Sequence, residues 1–273
     1  MILAAGEGQR LRPLTSLVPK ALCPVGNVPL LDHALRRVAG LGLTEVAVNA
    51  SYMADEVVAH VGGRAFLSVE PDGPLGTSGG IAKLRDWIDG RGVLVGNADA
   101  YLADPAREPG KDIAAMLEGW SGETVRMLVR PLPQGEEGGF SNHRFAGFSL
   151  LPWKRLRDLV PTQAGLVRDV WRPAEAAGEL ELIVYEGTYI DTGTPADYLR
   201  ANLHAAAGGN LIAPSAEVTG TCEASVVGPS ATVAGRVTRC VIWPGATVTA
   251  DESLTDAIRA HNTLTVQTPP PQW

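Results

Sequence analysis

Three cations, Arg10, Arg12 and Lys20, fall within eleven residues near the amino terminus, just behind a glycine-punctuated loop. The apolar run Met1-Ile2-Leu3-Ala4-Ala5 reads as a strand, and it breaks into Gly6-Glu7-Gly8. Glycines just past a strand let backbone N–H groups approach a phosphate closely. Cationic side chains beside them neutralise what the backbone cradles. The chemistry suited to such a loop is polyphosphate binding. Two common versions of the loop are excluded. A dinucleotide fingerprint needs a third glycine where Leu11 stands, and no loop ends in Gly-Lys-Ser/Thr. Taken alone, Gly6-x-Gly8 is equally compatible with a tight turn.

The full stretch is longer than a turn requires: Leu3-Ala4-Ala5-Gly6-x-Gly8-x-Arg10-Leu11-x-Pro13-Leu14-Thr15, closed by Pro19-Lys20. It resembles the sugar-1-phosphate nucleotidyltransferases, also called nucleotide-sugar pyrophosphorylases. Leu75-Gly76-Thr77-Ser78-Gly79 resembles that family's base-binding loop, and Tyr189-Ile190-Asp191-Thr192-Gly193-Thr194-Pro195 its second metal motif. The resemblance implies that a sugar-1-phosphate oxygen attacks the α-phosphate of a nucleoside triphosphate and pyrophosphate leaves. Two anions must meet, so cations and a metal are needed, and positioning with charge neutralisation does the work. The implied metal is Mg²⁺, which takes one or two carboxylates plus phosphate oxygens. Asp99, just past an apolar strand, and Asp191 are its expected ligands, although the family usually has glycine where Ala98 stands. Arg10 is expected on the β- and γ-phosphates, and Lys20 on the α-phosphate and the sugar phosphate.

Leu3, Ala4, Ala5, Gly6, Gly8, Gly76, Thr77 and Gly79 are expected to hold the nucleotide. A Glu-Lys-Pro triplet that many relatives use for the sugar phosphate is missing, so Arg144 and Asn142 are the candidates, with His143 and Arg130 nearby. The compact N-acetylmuramate-1-phosphate uridylyltransferases lack the triplet too. The tail described below points instead to mannose-1-phosphate guanylyltransferases, and Glu70 is placed to pair with guanine donors. Guanylyl transfer to mannose 1-phosphate is the first expectation. Uridylyl or thymidylyl transfer to another hexose 1-phosphate is the alternative. A non-catalytic nucleotide-sugar sensor is the rival of another class, although such a protein would be expected to lose Lys20 or the aspartates.

The elements that must position these residues follow from periodicity. Up to about residue 206 strands alternate with helices, which implies a Rossmann-like α/β domain over 1–206 with a mixed, mainly parallel sheet. Ligands of such sheets bind at the carboxyl ends of strands. Strands are expected at 45–49, 65–69, 92–96, 124–130, 145–151 and 182–185, and helices at 30–41, 53–61, 79–87, 111–120, 152–177 and 196–206. Residues 131–143, with two prolines and three glycines, read as a mobile loop. After Gly208-Gly209 the pattern changes. Ile212-Ala-Pro-Ser-Ala-Glu-Val218 recurs as Val227-Gly-Pro-Ser-Ala-Thr-Val233 and Ile242-Trp-Pro-Gly-Ala-Thr-Val248, at fifteen-residue spacing. This is a hexapeptide pattern and predicts a short left-handed β-helix over 209–267, about three coils, whose end needs covering, by another subunit if not by itself. An acyltransferase reading of the tail needs a long prism and a histidine between subunits, and His261 lies beyond the clear coils. Residues 268–273 read as a frayed end.

The bulk properties agree. The 273 residues carry a net charge of −7 with no basic run, which argues against nucleic acid and anionic membrane as partners. Hydrophobic content of 45% and charge of 19% are globular values. Cys23, Cys222 and Cys240 are widely spaced without zinc pattern, which suits a reducing cytoplasm. The apolar start is too short for a signal peptide or a membrane span, and strand one is short enough that the native start is expected upstream.

Overall fold

The computed structural model describes residues 1–43 and 45–270, so the last three residues of the expected frayed end lie outside it. The chain forms two compact units. The first comprises Met1–Glu7, Pro19–Ala21 and Leu31–Tyr189; the second comprises Gly8–Val18, Leu22–Leu30 and the stretch from Ile190 onward.

The first unit is built on seven strands: β1 (Ile2–Leu3), β2 (Ala47–Ala50), β3 (Phe66–Val69), β4 (Val93–Asn97), β5 (Val125–Pro131), β6 (His143–Leu151) and β7 (Leu180–Val184). Their order across the sheet is β7-β5-β6-β4-β1-β2-β3. β1 is parallel to β2 and β4, β2 to β3, and β5 to β7. β6 is antiparallel to both neighbours, so the sheet is mixed. Short all-apolar runs become inner strands because both faces are covered: Ile2, Val48, Val93 and Val95 are all buried. Gly96 is glycine because a Cβ there would lie 2.3 Å from the Phe148 ring on β6. The chain order reverses at β1, whose partners β2 and β4 lie on opposite sides. A crevice at the carboxyl ends of these three strands is the site such a topology provides.

Several helices differ from expectation for local reasons. The expected helix at 111–120 is a 3₁₀ turn, Lys111–Met116. Asp112 accepts from Gly110 N at 2.9 Å and pairs with buried Arg37 at 2.8 Å, and this side-chain bonding competes with helical bonds. The expected helix at 79–87 starts earlier and divides into Gly76–Lys83 and Arg85–Ile88. The 152–177 region contains a 3₁₀ turn (Trp153–Arg155) and a π turn (Val167–Trp171) that runs into Arg172–Ala176.

The second unit contains a hairpin, Pro24–Val25 against Val28–Pro29, whose Gly26 and Asn27 have φ of 59° and 64°. Two consecutive positive φ values define the primed turn that matches strand twist. A helix, Pro195–Ala205, is capped by Thr194, which accepts from Asp197 N at 3.2 Å. The tail is a parallel β-helix with three faces. Its rungs are Leu211–Ile212, Val226–Val227 and Val241–Ile242 on one face, and Glu217–Val218, Thr232–Val233 and Thr247–Val248 on the second. Thr221–Glu223, Arg236–Thr238 and Ser253–Thr255 form the third. Val227, Val233, Val237, Ile242 and Val248 fill the interior. Register advances by fifteen residues from Thr232 to Thr247 but by seventeen from Arg236 to Ser253. The two extra residues lie in the turn after Val248, where Thr249 N donates to Glu252 Oε2 at 2.7 Å. The first face ends within the chain itself: Ala257–His261 continues it, and Leu264–Gln267 covers that strand antiparallel. Thr268, expected to fray, is buried and tied to Asp256 O at 2.9 Å.

Candidate active site

One cleft of the first unit opens at the carboxyl ends of β1, β2 and β4. Leu3, Ala4, Ala5 and Gly6 form its floor, Asn49 flanks it from β2 and Asn97, Ala98 and Asp99 from β4, and Pro74, Gly76 and Thr77 also line it, with Lys20 at its edge. Eight residues expected from the sequence to bind nucleotide, phosphate or metal therefore share this cleft. Lys20 is 8% exposed, and its Nζ lies 2.5 Å from Asp99 Oδ2. A buried ammonium needs such a partner. The Asp99 side chain is 34% exposed and remains open to the cleft.

The floor is held by a polar relay the sequence reading missed. Ala4 N donates to Asn49 Oδ1 at 2.8 Å, and Asn49 Nδ2 donates to Glu70 Oε1 at 2.8 Å. Leu75 N donates to Glu70 Oε2 at 2.8 Å. Glu70 is 1% exposed with both oxygens engaged, so the expected pairing with guanine is corrected: Glu70 braces the loop. The available signal was a polar residue, Asn49 or Asn97, ending an apolar strand.

The base-binding loop is zipped to residues 162–169. Ser78 N donates to Ala164 O at 3.2 Å, Ala164 N to Leu75 O at 3.0 Å, and Leu166 N to Thr77 Oγ1 at 2.8 Å. Ser78 Oγ donates to Asp169 at 2.6 Å; hydrogen bonds from Arg168 and Ser78 hold the Asp169 carboxyl below its ordinary range. The glycines divide accordingly. Gly79 is not in the cleft wall, and a Cβ on it would lie 2.1 Å from Thr162 O. Gly76, with φ of +72°, would meet Ala164 O at 2.3 Å. A Cβ on Gly6 meets nothing within 4 Å. Gly6→Ala should therefore keep its melting temperature within about 2 °C of wild type. Its KM for nucleotide should rise about tenfold, ~1.4 kcal/mol, because the methyl enters the cleft. Gly79→Ala should lose roughly 4–10 °C by overpacking. Thermal shift and steady-state kinetics on the pair check this contrast; equal melting losses would refute it.

Gly8, Arg10 and Asp191 belong to the second unit. Gly8 has φ of 63°, and its carbonyl accepts from Thr15 Oγ1 at 2.9 Å, so its glycine serves the turn. Arg10 Nη2 lies 3.4 Å from Asp191 Oδ2, with both side chains about half exposed or more. A Cβ on Gly193 would lie 2.5 Å from Arg10 Nη2, so glycine lets the guanidinium lie along the turn.

The candidates for the sugar phosphate are not in the cleft wall. Arg144 is exposed at the start of β6, and Asn142 is engaged in its own loop, its Oδ1 accepting from Gly138 N at 3.4 Å and its backbone O from Leu132 N at 3.0 Å. Arg130 Nη1 donates to the carbonyls of Tyr185, Glu186 and Gly187 and is a structural brace. Among the described residues no three His, Cys, Asp or Glu side chains form a metal-ligand group, and no helix is long and apolar enough to cross a membrane.

Comparison with known proteins agrees with this geometry. The Nucleotidyl transferase family pattern matches residues 1–119. An N-acetylmuramate alpha-1-phosphate uridylyltransferase of Neisseria meningitidis is 40% identical over 52% of this chain and 63% of its own. One from Caulobacter vibrioides is 31% identical over 70% of this chain and 73% of its own. A mannose-1-phosphate guanylyltransferase of Mycobacterium tuberculosis is 26% identical over 81% and 67%. The chain thus spans about two thirds of the length of these relatives. Among solved structures, a putative glucose-1-phosphate thymidylyltransferase from Bacillus anthracis superposes with a TM-score of 0.61 at 20% identity, over 75% of this chain and 93% of the other. The β1 loop, the Lys20–Asp99 cleft and these relatives together make the chain a member of the nucleotidyl transferase family, of the sugar-1-phosphate nucleotidyltransferase kind.

Proposed function

We propose that this protein transfers a nucleotidyl group from an NTP to a sugar 1-phosphate, releasing pyrophosphate, with 1–206 carrying the chemistry and 209–267 the β-helix. The observation that carries the reading is the Lys20–Asp99 pair, 2.5 Å apart, facing a floor of glycine and alanine backbone. In the reaction the sugar-phosphate oxygen forms a bond to the α-phosphorus while the bond to the β-phosphate bridging oxygen breaks. The nucleophile is already ionised, so no side chain need remove a proton. Lys20 draws the α-phosphate and sugar phosphate together, and the Gly6 backbone admits the phosphates closely. Arg10 keeps its assignment to the leaving pyrophosphate.

Mg²⁺ fits the donor set. Asp99 supplies a hard carboxylate oxygen open to the cleft, and one or two carboxylates with substrate oxygens suit an ion that keeps its waters. Asp191 keeps the same assignment on its motif. When bound, the ion neutralises phosphate charge.

For the base we favour uridine. Glu70 is unavailable to guanine, and the relatives at 40% and 31% identity are uridylyltransferases. Guanylyl transfer to mannose 1-phosphate is the second reading, favoured by the relative that spans 81% of the chain. No disulfide joins the three cysteines, which suits the cytoplasm, and we expect a homo-oligomer. Pyrophosphate release is measured for UTP, GTP and dTTP with the 1-phosphates of N-acetylmuramate, mannose and glucose. UTP with N-acetylmuramate 1-phosphate should turn over fastest. Tight nucleotide-sugar binding without release from any pair would make the protein a sensor.

A further inference from the structure

The second unit joins the β-helix to the residues assigned to pyrophosphate and metal. Trp243, in the turn after the rung Val241–Ile242, is 5% exposed, and its indole Nε1 donates to the Tyr198 hydroxyl at 3.0 Å. Tyr198 is fully buried on the helix Pro195–Ala205. An indole nitrogen only donates, so the Tyr198 oxygen accepts from it and the Tyr198 proton points to the Pro24 carbonyl. Asn202, on the same helix, accepts from Gly26 N at 3.0 Å and donates to Pro24 O at 3.3 Å. Asn27 Nδ2 donates to Val227 O of the β-helix at 3.0 Å, closing the ring of contacts. The helix begins at Pro195, four residues after Asp191, and the intervening Gly193 lies against Arg10. The turn of residues 192–194 thus links this helix directly to the Asp191–Arg10 pair.

We propose that Trp243 is a positioning residue: through Tyr198 it fixes the helix that sets Asp191 against Arg10, so the β-helix contributes to catalysis through geometry. This rests on the metal and pyrophosphate roles proposed above. The alternative is that Trp243 only glues the tail. That role would lower stability and leave the metal dependence of the reaction alone.

The test uses the full chain with Trp243→Phe, which keeps the ring and removes the donor. Well below its melting temperature, kcat should fall about tenfold and the apparent Mg²⁺ constant should rise about tenfold, since small misplacements of positioned groups are costly. Affinity for UMP, which lacks the phosphates assigned to Arg10, measured in EDTA should stay at the wild-type value, because the cleft of the first unit is untouched. Mn²⁺ binding followed by EPR should weaken in parallel. A lower melting temperature with wild-type kcat, Mg²⁺ constant and Mn²⁺ affinity overturns the proposal. Should Trp243→Phe fail to fold, Asn27→Gly keeps the left-handed turn and removes the bond to Val227. The same pattern is expected, and wild-type behaviour overturns the proposal. A wild-type chain that releases no pyrophosphate from any pair refutes the proposed reaction instead, and Mn²⁺ affinity still reads the placement of Asp191.

Discussion

Lys20→Ala is expected to lower kcat/KM on the order of 10³-fold, the upper range for removing one preorganised electrostatic donor. The side chain is only 10% exposed and its ammonium lies at the cleft edge 2.5 Å from Asp99, so its charge is poorly screened and already oriented. Among the described residues lining the cleft no other is cationic. Lys20→Arg should recover little, since a planar guanidinium does not fit a site shaped for a compact ammonium. Steady-state pyrophosphate release with the preferred pair checks both variants. A Lys20→Ala enzyme within tenfold of wild type would place the α-phosphate elsewhere.

Asp99→Asn should lower kcat on the order of 10²-fold or more with the fold intact. The replacement is isosteric and the side chain is one-third exposed, so little core packing is disturbed. The variant loses a carboxylate oxygen from the cleft and the charge opposite Lys20. Rates measured across a Mg²⁺ titration, with melting curves alongside, read the two effects separately. A near wild-type rate would remove Asp99 from the chemistry.

The sequence made β1 and β4 legible because both are short apolar runs buried on both faces, and the loop after β1 legible through glycine and charge. It did not reveal that β6 runs against its neighbours, since strand direction depends on connections made elsewhere in the sheet. The helix expected at 111–120 failed because Asp112 bonds Gly110 N and Arg37, a partner 75 residues away in sequence. Glu70 was misread for the same reason: Asn49 lies 21 residues earlier, and no local pattern shows the pairing. Leu3 to Gly6, Lys20, Gly76, Thr77 and Asp99 converge as expected. Gly8 and Gly79 are glycines for backbone geometry and packing, which spacing alone does not separate from ligand contact. In the tail the fifteen-residue period was plain. The third face was not, because its inward residues, Cys222, Val237 and Leu254, share no residue type and the last is displaced from the fifteen-residue spacing by two.

The strand Leu264–Gln267 has a consequence for self-association. A solenoid grows when its last rung offers unpaired backbone groups to another segment of the same direction. Here that rung, Ala257–His261, already carries a strand of opposite polarity, and Thr268 is fastened behind it. A second molecule cannot stack its own coils onto this face in continuation of the repeat, so the periodicity that builds the tail is denied a route to fibres there.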